Sequence, residues 1–477
     1  MLFVVALLVF AVSAAEVRPK YLFLLIGDGM GPNIVKFYRD QMGKTSFDQM
    51  GEPVPTGTNN CFGKTTDSAA SGTALACGVK TYNGSMAMDK DKRPLTSLAK
   101  ILKKRGMKVG IISSVSINDA TPGTHYANRV SRKDREGSFA DLVASDFDFF
   151  GVSSISPPKN MKYKDLTAKL SEGGFTVYGP KSFANMKKGG KSIFYNSTQC
   201  SGKDGITHPK PSLADVTGKA IELLDNPNGF FMMVEGGAID HNNHANNVSG
   251  MMNEMIEFDQ VISTVLKFAE KHPDETLVIV TADHDTGGIQ INGKVPVGFW
   301  KAQTLSYTRI DKAIQKMRKA KKSKEEIISF VCQKVGISDL NAEEKKAVEA
   351  GADRFMSGKK TKERSMYGAY NPLVIAVMRV RDARNNYRYT TFGHTPTKVP
   401  TFVVGNGKQL FTAPQENSDI PRRISVAATG SDLCSKRDKR SHGVQLNAYT
   451  NHLQQFQFQR TETAAFFSLK RGVGITF

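Results

Sequence analysis

Residues 21–31 read Tyr21-Leu-Phe-Leu-Leu-Ile26 followed at once by Gly27-Asp28-Gly29-Met30-Gly31. The six-residue run is apolar throughout, which predicts a strand buried on both faces, as in a parallel sheet. A glycine-rich turn with a single aspartate, Asp28, follows it. Ligands of open α/β sheets bind just beyond the carboxyl ends of the strands, so Asp28 is a candidate site residue.

Further along the chain, other apolar runs end in the same way. The runs 109–112, 230–234 and 276–280 lead into polar segments that contain, in order, Asp119-Ala-Thr121, Glu235 with Asp240, and Asp283-His284. A fifth run, 401–404, follows Gly393-His394-Thr395. Carboxylates at the tips of four such strands would converge in space, and buried carboxylates repel one another unless cations lie between them.

Helical segments separate these strands, and we predict them at 95–104, 211–225, 251–270 and 308–335. Alternation of strands and helices is typical of a doubly wound α/β fold, with a mostly parallel central sheet and helices on both faces. Segment 293–389 is helical and Lys-rich without a motif of its own, which indicates a helical insertion, or cap, between two strands of the site.

The two ends of the chain differ from the rest. Residues 1–15 are apolar and end in small residues, which predicts a signal peptide cleaved near Ala15 and a secreted or periplasmic protein; an uncleaved N-terminal anchor is the alternative. No other stretch has ~20 apolar residues, so no spanning helix is expected. We expect one catalytic domain over 16–429 and a basic extension of unassigned role over 430–477.

The composition is that of a globular enzyme, with 40% hydrophobic residues and a mean hydropathy of −0.33. The net charge of +20 favours contact with phosphorylated substrates, nucleic acid or an anionic surface, although a solvated basic surface explains it equally simply. The five cysteines form no Cys-x-x-Cys pair, which excludes a thiolate zinc ribbon.

The segment Thr65-Thr-Asp67-Ser68-Ala-Ala-Ser-Gly-Thr-Ala-Leu-Ala-Cys77-Gly78 predicts a tightly packed helix that begins near Ser68 and ends at Gly78. A serine in the first turn has its Oγ beside unsatisfied N–H groups and the positive end of the helix dipole, where an alkoxide or a phosphoryl group is stabilised. Alternatively, Asp67 or Ser68 is simply the N-cap.

Metal-binding patterns occur at three places. Asp240 and His244 are one helical turn apart, can bind one ion from the same face, and follow Glu235. His394 could complete a three-ligand site with them and leave a position open, as catalytic zinc requires. Asp283 and His284 could turn to one ion at a loop tip. Asp119 and Thr121 offer the oxygen ligands that suit Mg²⁺, and the Arg132 fork suits phosphate.

Together these pieces resemble the alkaline phosphatase family. The resemblance is carried, in the family's order, by Gly27-Asp-Gly-Met-Gly31, Thr66-Asp-Ser-Ala69, Asp119-Ala-Thr-Pro122, Val234-Glu-Gly236 with Asp240 and His244, Thr281-Ala-Asp-His284, and Gly393-His-Thr395. It extends from about residue 21 to Asp419-Ile-Pro-Arg-Arg-Ile424, which is similar to the family's final helix.

The resemblance implies two Zn²⁺ and one Mg²⁺. The implied ligands are Asp240, His244 and His394 for one zinc, Asp28, Ser68, Asp283 and His284 for the other, and Asp28, Thr121 and Glu235 for magnesium. It also implies that Arg132 binds phosphate and that Asp119 supports the magnesium through water. Asp119 and His241 stand where the family varies, which leaves the third metal open.

The activity that the resemblance implies is hydrolysis of phosphate monoesters, with Ser68 as the nucleophile and a phosphoserine intermediate. Small phosphorylated metabolites are the expected substrates, and no specific nucleic-acid partner is expected. The oligomeric state is left between a monomer and a homodimer.

Three other functions fit the sequence less well. A sulfatase would need a Cys/Ser-x-Pro-x-Arg motif, which Ser68-Ala-Ala-Ser-Gly72 does not provide. A diesterase of the same superfamily usually lacks the magnesium ligands and the arginine, so Thr121, Glu235 and Arg132 favour a monoesterase. A polyanion-binding protein without catalysis would need none of these residues.

Overall fold

The computed structural model describes residues 17–159, 161–195, 206–208, 210–358, 366, 368–411 and 415–434. The predicted signal peptide and the part of the predicted C-terminal extension beyond 434 lie outside the described residues. All statements below concern the described ranges.

The strands alternate with helices along most of the chain, as the sequence pattern predicts. The strands are β1 (Tyr21–Gly27), β2 (Val54–Gly57), β3 (Lys108–Ser116), β4 (Phe149–Ser154), β5 (Phe175–Tyr178), β6 (Lys191–Tyr195), β7 (Phe230–Gly236), β8 (Thr276–Thr281), β9 (Asp285–Thr286), β10 (Ile289–Ile291), β11 (Tyr387–Tyr389), β12 (His394–Thr395), β13 (Val399–Gly405) and β14 (Gln415–Glu416).

Helices connect most of these strands, and the longest of those described, α9, lies between β7 and β8. The α-helices are α1 (Pro32–Met42), α2 (Ser68–Cys77), α3 (Leu98–Lys103), α4 (Ala120–Tyr126), α5 (Arg135–Val143), α6 (Tyr163–Glu172), α7 (Leu213–Leu224), α8 (Ala238–His244), α9 (Val248–Lys271), α10 (Tyr307–Lys319), α11 (Lys324–Val335), α12 (Ala342–Met356), α13 (Pro372–Arg384) and α14 (Asp419–Thr429). Short 3-10 turns lie at Ser46–Gln49, Pro180–Asn185, Phe299–Ala302 and Lys408–Phe411.

Ten of the described strands form one sheet in the order β14-β2-β13-β8-β1-β7-β3-β4-β6-β5. The four strands predicted to carry polar tips, β8, β1, β7 and β3, are consecutive neighbours in it and run parallel. In register, Ile26 lies opposite Glu235 on one side and Thr281 on the other. The four tips therefore meet at one edge of the sheet.

Both faces of the sheet are covered, as an uninterrupted apolar strand requires. Alternate residues of β1 enter different cores: Phe23 and Leu25 pack with α9 on one face, and Leu22 and Leu24 pack with α2 to α6 on the other. The predicted doubly wound α/β fold, with a mostly parallel sheet and helices on both faces, is confirmed.

The strand β13 runs antiparallel to β8, with Phe402 opposite Val280 and Gly405 opposite Leu277. Its carboxyl end therefore lies at the edge of the sheet away from the four tips. His394 precedes β13, so the antiparallel direction brings this histidine, and not the turn after Gly405, to the tips.

The helix predicted over 308–335 is wrong as a single element. It is two helices, α10 and α11, separated by a turn in which Lys321 has a positive φ of 57° and Ser323 caps α11 through the N–H of Glu326. The Lys-rich run contains no Gly or Pro to mark the break, and the local signal for it is the capping serine, Ser323.

The segment between β10 and β11 has an apolar core of its own. The helices α10 to α13 pack around Ile314, Val331, Phe355 and other residues that do not belong to either face of the main sheet. The chain enters and leaves this helical insertion side by side, because β10 and β11 pair antiparallel, with Ile289 opposite Tyr389. Nowhere in the described ranges does a helix have the length and apolarity needed to cross a membrane.

Candidate active site

The turns after β1 and β8 place two aspartates against each other. Gly29 has a φ of +72°, which suits glycine, and its N–H donates to Asp283 Oδ1 at 3.1 Å. Asp28 and Asp283 are buried, and each has one carboxylate oxygen, Oδ1 and Oδ2 respectively, without a hydrogen-bond partner. Two buried carboxylates with unsatisfied oxygens require a positive partner.

Ser68 is the first residue of α2, and Asp67 is its N-cap. The Asp67 carboxylate accepts from the N–H of Ala70 at 3.0 Å, so the capping role falls to Asp67 and the Ser68 hydroxyl is left for other contacts. Ser68 Oγ lies 3.1 Å from His284 Nε2, beside the Asp28–Asp283 pair. The helix ends as predicted, with Gly78 in the left-handed region at φ 71°.

The small residues of α2 allow it to approach α4 closely. A Cβ on Gly72 would lie 3.2 Å from Thr121 Cα and 3.1 Å from Thr124 Oγ1. The close packing sets Thr121 beside β1, where its hydroxyl donates to Asp28 Oδ2 at 3.4 Å. All ten residues of α2 are buried, which explains its run of Ala, Ser, Gly and Thr.

Glu235 faces the neighbouring strand β3. Ser113, which lies opposite Glu235 in register, donates its hydroxyl proton to Glu235 Oε2. The other oxygen, Oε1, is buried without a hydrogen-bond partner. Sequence reasoning missed Ser113, because which residue of β3 lies opposite Glu235 depends on the register of the two strands.

A second cluster lies beside the first and combines α8 with β12. His244 Nε2 lies 3.3 Å from Asp240 Oδ2 and 3.1 Å from His394 Nε2. His394 Nε2 lies 3.8 Å from Asp240 Oδ1, and its ring stacks on His284 with a centroid separation of 3.5 Å. Asp240, His284 and His394 form one group that could hold an ion, and Asp28, Asp283 and His284 form another, so His284 joins the two.

The three histidines are oriented in the same way. The Phe392 carbonyl oxygen lies 2.6 Å from His244 Nδ1, and the Thr66 carbonyl oxygen lies 2.9 Å from His394 Nδ1. A carbonyl oxygen can only accept, so each Nδ1 carries the proton. Thr286 lies 2.6 Å from Asp240 Oδ1, to which it donates, and its Oγ1 is therefore left to accept from His284 Nδ1 at 3.1 Å. In their neutral forms all three rings point an unprotonated Nε2 into the site, which is the orientation of metal-binding histidines.

The electrostatics of the site point to cations. Burial, with repulsion from neighbouring carboxylates, raises the pKa of Asp283 to about 7 and holds that of Asp28 well above its usual range. Burial likewise raises the pKa of Glu235 to about 8. Burial also disfavours the charge on Asp240, but the neighbouring His244 outweighs it and leaves the pKa of Asp240 below its usual range; Asp240 in turn raises the pKa of His244 against the effect of burial.

Burial, with the neighbouring histidines, lowers the pKa of His284 and of His394. Rings that resist protonation and carboxylates with unsatisfied oxygens form a set of ligands that fits metal ions. In particular, the Nε2 atoms of His244 and His394 face each other at 3.1 Å, an arrangement that a shared cation stabilises.

Arg132 lies at the more open side of the site and is held by two carboxylates. Its Nη2 donates to Asp119 Oδ1 at 2.8 Å, and its Nη1 lies 3.4 Å from Asp67 Oδ2. Asp119 also caps α4 by accepting from the N–H of Ala120. His241 is half exposed and lies 3.9 Å from the other oxygen of Asp119, so it borders the site without joining either ion-binding group.

The structure thus places Asp28, Asp240, Asp283, His284 and His394 in two adjoining groups that could hold ions. Ser68, Thr121 and His244 each contact a member of these groups, and Glu235 lies opposite Ile26 in register. The residues that sequence reasoning missed are supports: Ser113, Thr286, and the carbonyls of Thr66 and Phe392. Thr286 follows His284 by two residues, so its proximity could have been noticed; a backbone carbonyl leaves no signal in the sequence.

Comparison with protein families gives one match over most of the chain. The family model described as alkaline phosphatase matches residues 19–148 and 192–429. Alkaline phosphatase 4 of Bacillus subtilis is 30% identical over 433 residues, covering 85% of this chain and 87% of its own.

Solved structures agree with the sequence comparison. The cold-active alkaline phosphatase of the psychrophile Shewanella sp. is 29% identical, with a TM-score of 0.71 over 85% of this chain and 99% of its own. A His-to-Asp variant of the TAB5 alkaline phosphatase, described with Mg bound in its M3 site, is 26% identical, with a TM-score of 0.59 over 86% of this chain and 98% of its own.

Proposed function

Because this chain belongs to the alkaline phosphatase family, we propose that it hydrolyses phosphate monoesters to an alcohol and inorganic phosphate at the site around Ser68. The observation that carries the proposal is the position of Ser68 Oγ. It lies in the first turn of a buried helix, 3.1 Å from His284 Nε2 and beside two buried aspartates with unsatisfied oxygens.

The residues present fit the proposed metals. Asp240, His244 and His394 would hold one Zn²⁺, Asp28, Asp283 and His284 with Ser68 would hold the other, and Asp28, Thr121 and Glu235 would hold Mg²⁺. When bound, these ions lower the pKa of a coordinated hydroxyl and offset charge on the phosphoryl oxygens. The TAB5 variant, in which an aspartate replaces a histidine, is described with Mg bound in its M3 site, and this chain has an aspartate, Asp119, two residues before the proposed magnesium ligand Thr121 in the sequence.

Ser68 acts as the nucleophile in this proposal. Its Oγ forms a bond to phosphorus while the bond from phosphorus to the leaving oxygen breaks, which gives a phosphoserine and an alcohol. Water then breaks the phosphoserine bond, releases inorganic phosphate and restores the Ser68 hydroxyl. In this proposal, the positive end of the α2 dipole stabilises negative charge on the phosphoryl group at Ser68.

Arg132 binds two equatorial phosphoryl oxygens with its guanidinium fork. Asp67 and Asp119 hold the two terminal nitrogens of that fork before substrate arrives, so little rotational freedom is lost on binding. A monoester has a further non-bridging oxygen beyond the two that this fork binds, which leaves one for the metal ions, whereas a diester carries a second ester group in that place.

The test is a paired assay of the metal-loaded protein with p-nitrophenyl phosphate and bis-p-nitrophenyl phosphate at alkaline pH. We expect preference for the monoester and loss of most activity in Ser68→Ala. Acid quenching with labelled phosphate should trap a phosphoserine in the wild type and none in Ser68→Ala. A preference for the diester would show a phosphodiesterase instead, and Ser68→Ala with full activity would refute the nucleophile.

A matched control is Ser171→Ala. Ser171 is an exposed serine of α6, which packs on β5 at the far end of the sheet from the strands of the site. It should behave as the wild type. We further propose that the catalytic domain spans 16–429, that the protein is secreted or periplasmic, and that small phosphorylated metabolites are its substrates.

A further inference from the structure

The helical insertion reaches the candidate metal site through one peptide group. Phe392 lies in the segment by which the chain returns from the insertion, between β11 and β12. Its carbonyl oxygen is 2.6 Å from His244 Nδ1 and accepts that ring's proton. The direction of this carbonyl therefore decides where His244 Nε2 points.

The insertion covers the Phe392 side chain from several directions. The Tyr370 ring stacks on it with centroids 5.6 Å apart and planes inclined by 28°. The guanidinium carbon of Arg379 lies 5.6 Å from the centre of the same ring. Gly368 leaves room for it, since a Cβ there would lie 2.8 Å from the ring.

Tyr370 is itself fixed by two helices of the insertion. Its ring packs edge-on against Tyr307, the first residue of α10, with centroids 5.3 Å apart. The Tyr307 hydroxyl accepts from the N–H of Asn371 at 2.7 Å, and Asn371 caps α13 through the N–H of Leu373. Tyr370 thus rests on the apolar core of the insertion.

Tyr370 also lies close to the metal ligands. Burial, followed by the negative charge of Asp240, raises the pKa of Tyr370 to about 12. The Tyr370 hydroxyl thus stays protonated near Asp240, which is one of the three proposed ligands of this metal.

The rest of the returning segment follows α8 through two hydrogen bonds. The Tyr389 hydroxyl donates to Asn243 Oδ1 at 3.1 Å, and Asn246 Nδ2 donates to the carbonyl of Thr391 at 2.9 Å. These contacts hold the backbone beside the helix that carries Asp240 and His244. The Phe392 ring, by contrast, is held by the insertion.

We propose that Tyr370 is a positioning residue: by stacking on Phe392 it fixes the carbonyl that orients His244. The insertion thereby sets the affinity of the metal held by Asp240, His244 and His394. This inference rests on the proposed function, because it takes these three residues as zinc ligands. Partners of the ligating imidazoles affect metal affinity by about 10- to 100-fold when they are lost.

The experiment measures zinc affinity without substrate, by competition of the full-length protein with a chelator of known affinity. In Tyr370→Ala, we expect one of two zinc ions to bind about 10-fold or more weakly and the other to be unchanged. Tyr370→Phe keeps the stacked ring and should bind both ions as the wild type does. Tyr307→Leu, which removes the support behind Tyr370, should weaken the same ion to a smaller extent.

The control variant is Ile314→Ala, which shortens one side chain in the core of the insertion and leaves Tyr307, Tyr370 and Phe392 unchanged. It should leave both zinc affinities unchanged. Equal zinc loss in Ile314→Ala and Tyr370→Ala, or none in Tyr370→Ala, would overturn the inference, as would equal loss in Tyr370→Phe. A wild-type protein that binds no zinc would instead refute the proposed function, which keeps the two failures apart.

Discussion

Thr286 connects the two candidate metal clusters through one hydroxyl group. It donates to Asp240 Oδ1 at 2.6 Å and accepts from His284 Nδ1 at 3.1 Å. The side chain is fully buried, so water cannot replace either contact. A single oxygen therefore fixes one ligand of each cluster.

We predict that Thr286→Val, which keeps the shape but removes the hydroxyl, lowers zinc affinity by about 10- to 100-fold. It leaves Asp240 Oδ1 and His284 Nδ1 without a buried partner. Zinc content after dialysis and kcat/KM for a phosphate monoester check this. Thr286→Ser keeps the hydroxyl and should remain close to the wild type; equal loss in both variants would assign the effect to packing.

His125 shows how a buried histidine without a role at the site affects stability. It lies in α4, is 1% exposed, and neither ring nitrogen has a hydrogen-bond partner. Burial lowers its pKa to about 3, so the ring is neutral in the folded protein.

The pH dependence follows with a definite sign. The unfolded chain, with a histidine pKa of about 6.5, binds the proton more readily than the folded one, so stability is lost as the pH falls below that value. We predict that the free energy of unfolding of His125→Leu, measured relative to the wild type, is about 2 kcal/mol higher at pH 5 than at pH 7.5. Urea unfolding at both pH values checks this. Metal release in acid affects both proteins and cancels, and parallel pH profiles would contradict the prediction.

At the scale of the elements, the site depends on how closely α2 and α4 pack. Gly72 is the closest point, where a side chain would meet Thr121 Cα and Thr124. By contrast, Gly218 in the middle of α7 has open space, with only Thr264 Cγ2 at 3.8 Å. A side chain at Gly72 would therefore clash with α4, whereas a side chain at Gly218 would fit.

We predict that Gly72→Val destabilises the protein by about 1–3 kcal/mol and weakens Mg²⁺ binding, because it forces α4 and Thr121 away from Asp28. Thermal unfolding and magnesium titration measure the two effects.

Gly218→Ala is the matched control, since alanine is the better helix former. It should stabilise the protein by up to about 1 kcal/mol without changing magnesium affinity. Destabilisation by Gly218→Ala, or unchanged magnesium binding in Gly72→Val, would contradict this account.

At the scale of the whole molecule, the site joins segments that are far apart in the chain. The carboxylates of Asp28, Glu235 and Asp283 come from three neighbouring strands and are all buried. Burial raises the pKa of all three, and repulsion from neighbouring carboxylates adds to it, so their anionic forms are disfavoured in the folded protein. Bound cations therefore stabilise the edge of the sheet as well as serving catalysis.

We predict that a chelator lowers the midpoint of thermal unfolding by roughly 8 °C, since ligand at 1,000 times its Kd contributes about 4 kcal/mol and each kcal/mol shifts Tm by about 2 °C. Addition of Zn²⁺ and Mg²⁺ should restore the midpoint, whereas Ca²⁺ in their place should not. An unchanged midpoint after metal removal, verified by metal analysis, would contradict this prediction.

Much of the net charge of the molecule belongs to one segment of the sequence. Residues 293–389 carry 22 Lys and Arg against 10 Asp and Glu, of the 65 and 45 in the whole chain. The side chains around Ser68 are mostly carboxylates and imidazoles. The net charge of +20 is therefore a property of the insertion more than of the site.

Much of the fold follows from particular residues. The apolar run 21–26 predicted a strand covered on both faces, and alternate residues of β1 do enter two cores. The helix 68–77 followed from its small residues and Gly78. The single helix predicted over 308–335 was wrong, because a Lys-rich run hides a turn that depends on one capping serine.

The sequence by itself determined the α/β class, the four strand tips and the identity of the acidic and histidine side chains, because periodicity and residue chemistry are local properties. Only the tertiary structure decided which groups face one another. The antiparallel direction of β13 brought His394 to the site, strand register placed Ser113 against Glu235, and the packing of the insertion aimed the Phe392 carbonyl at His244. Each of these depends on contacts between segments about 100 or more residues apart, and no local pattern encodes such a distance.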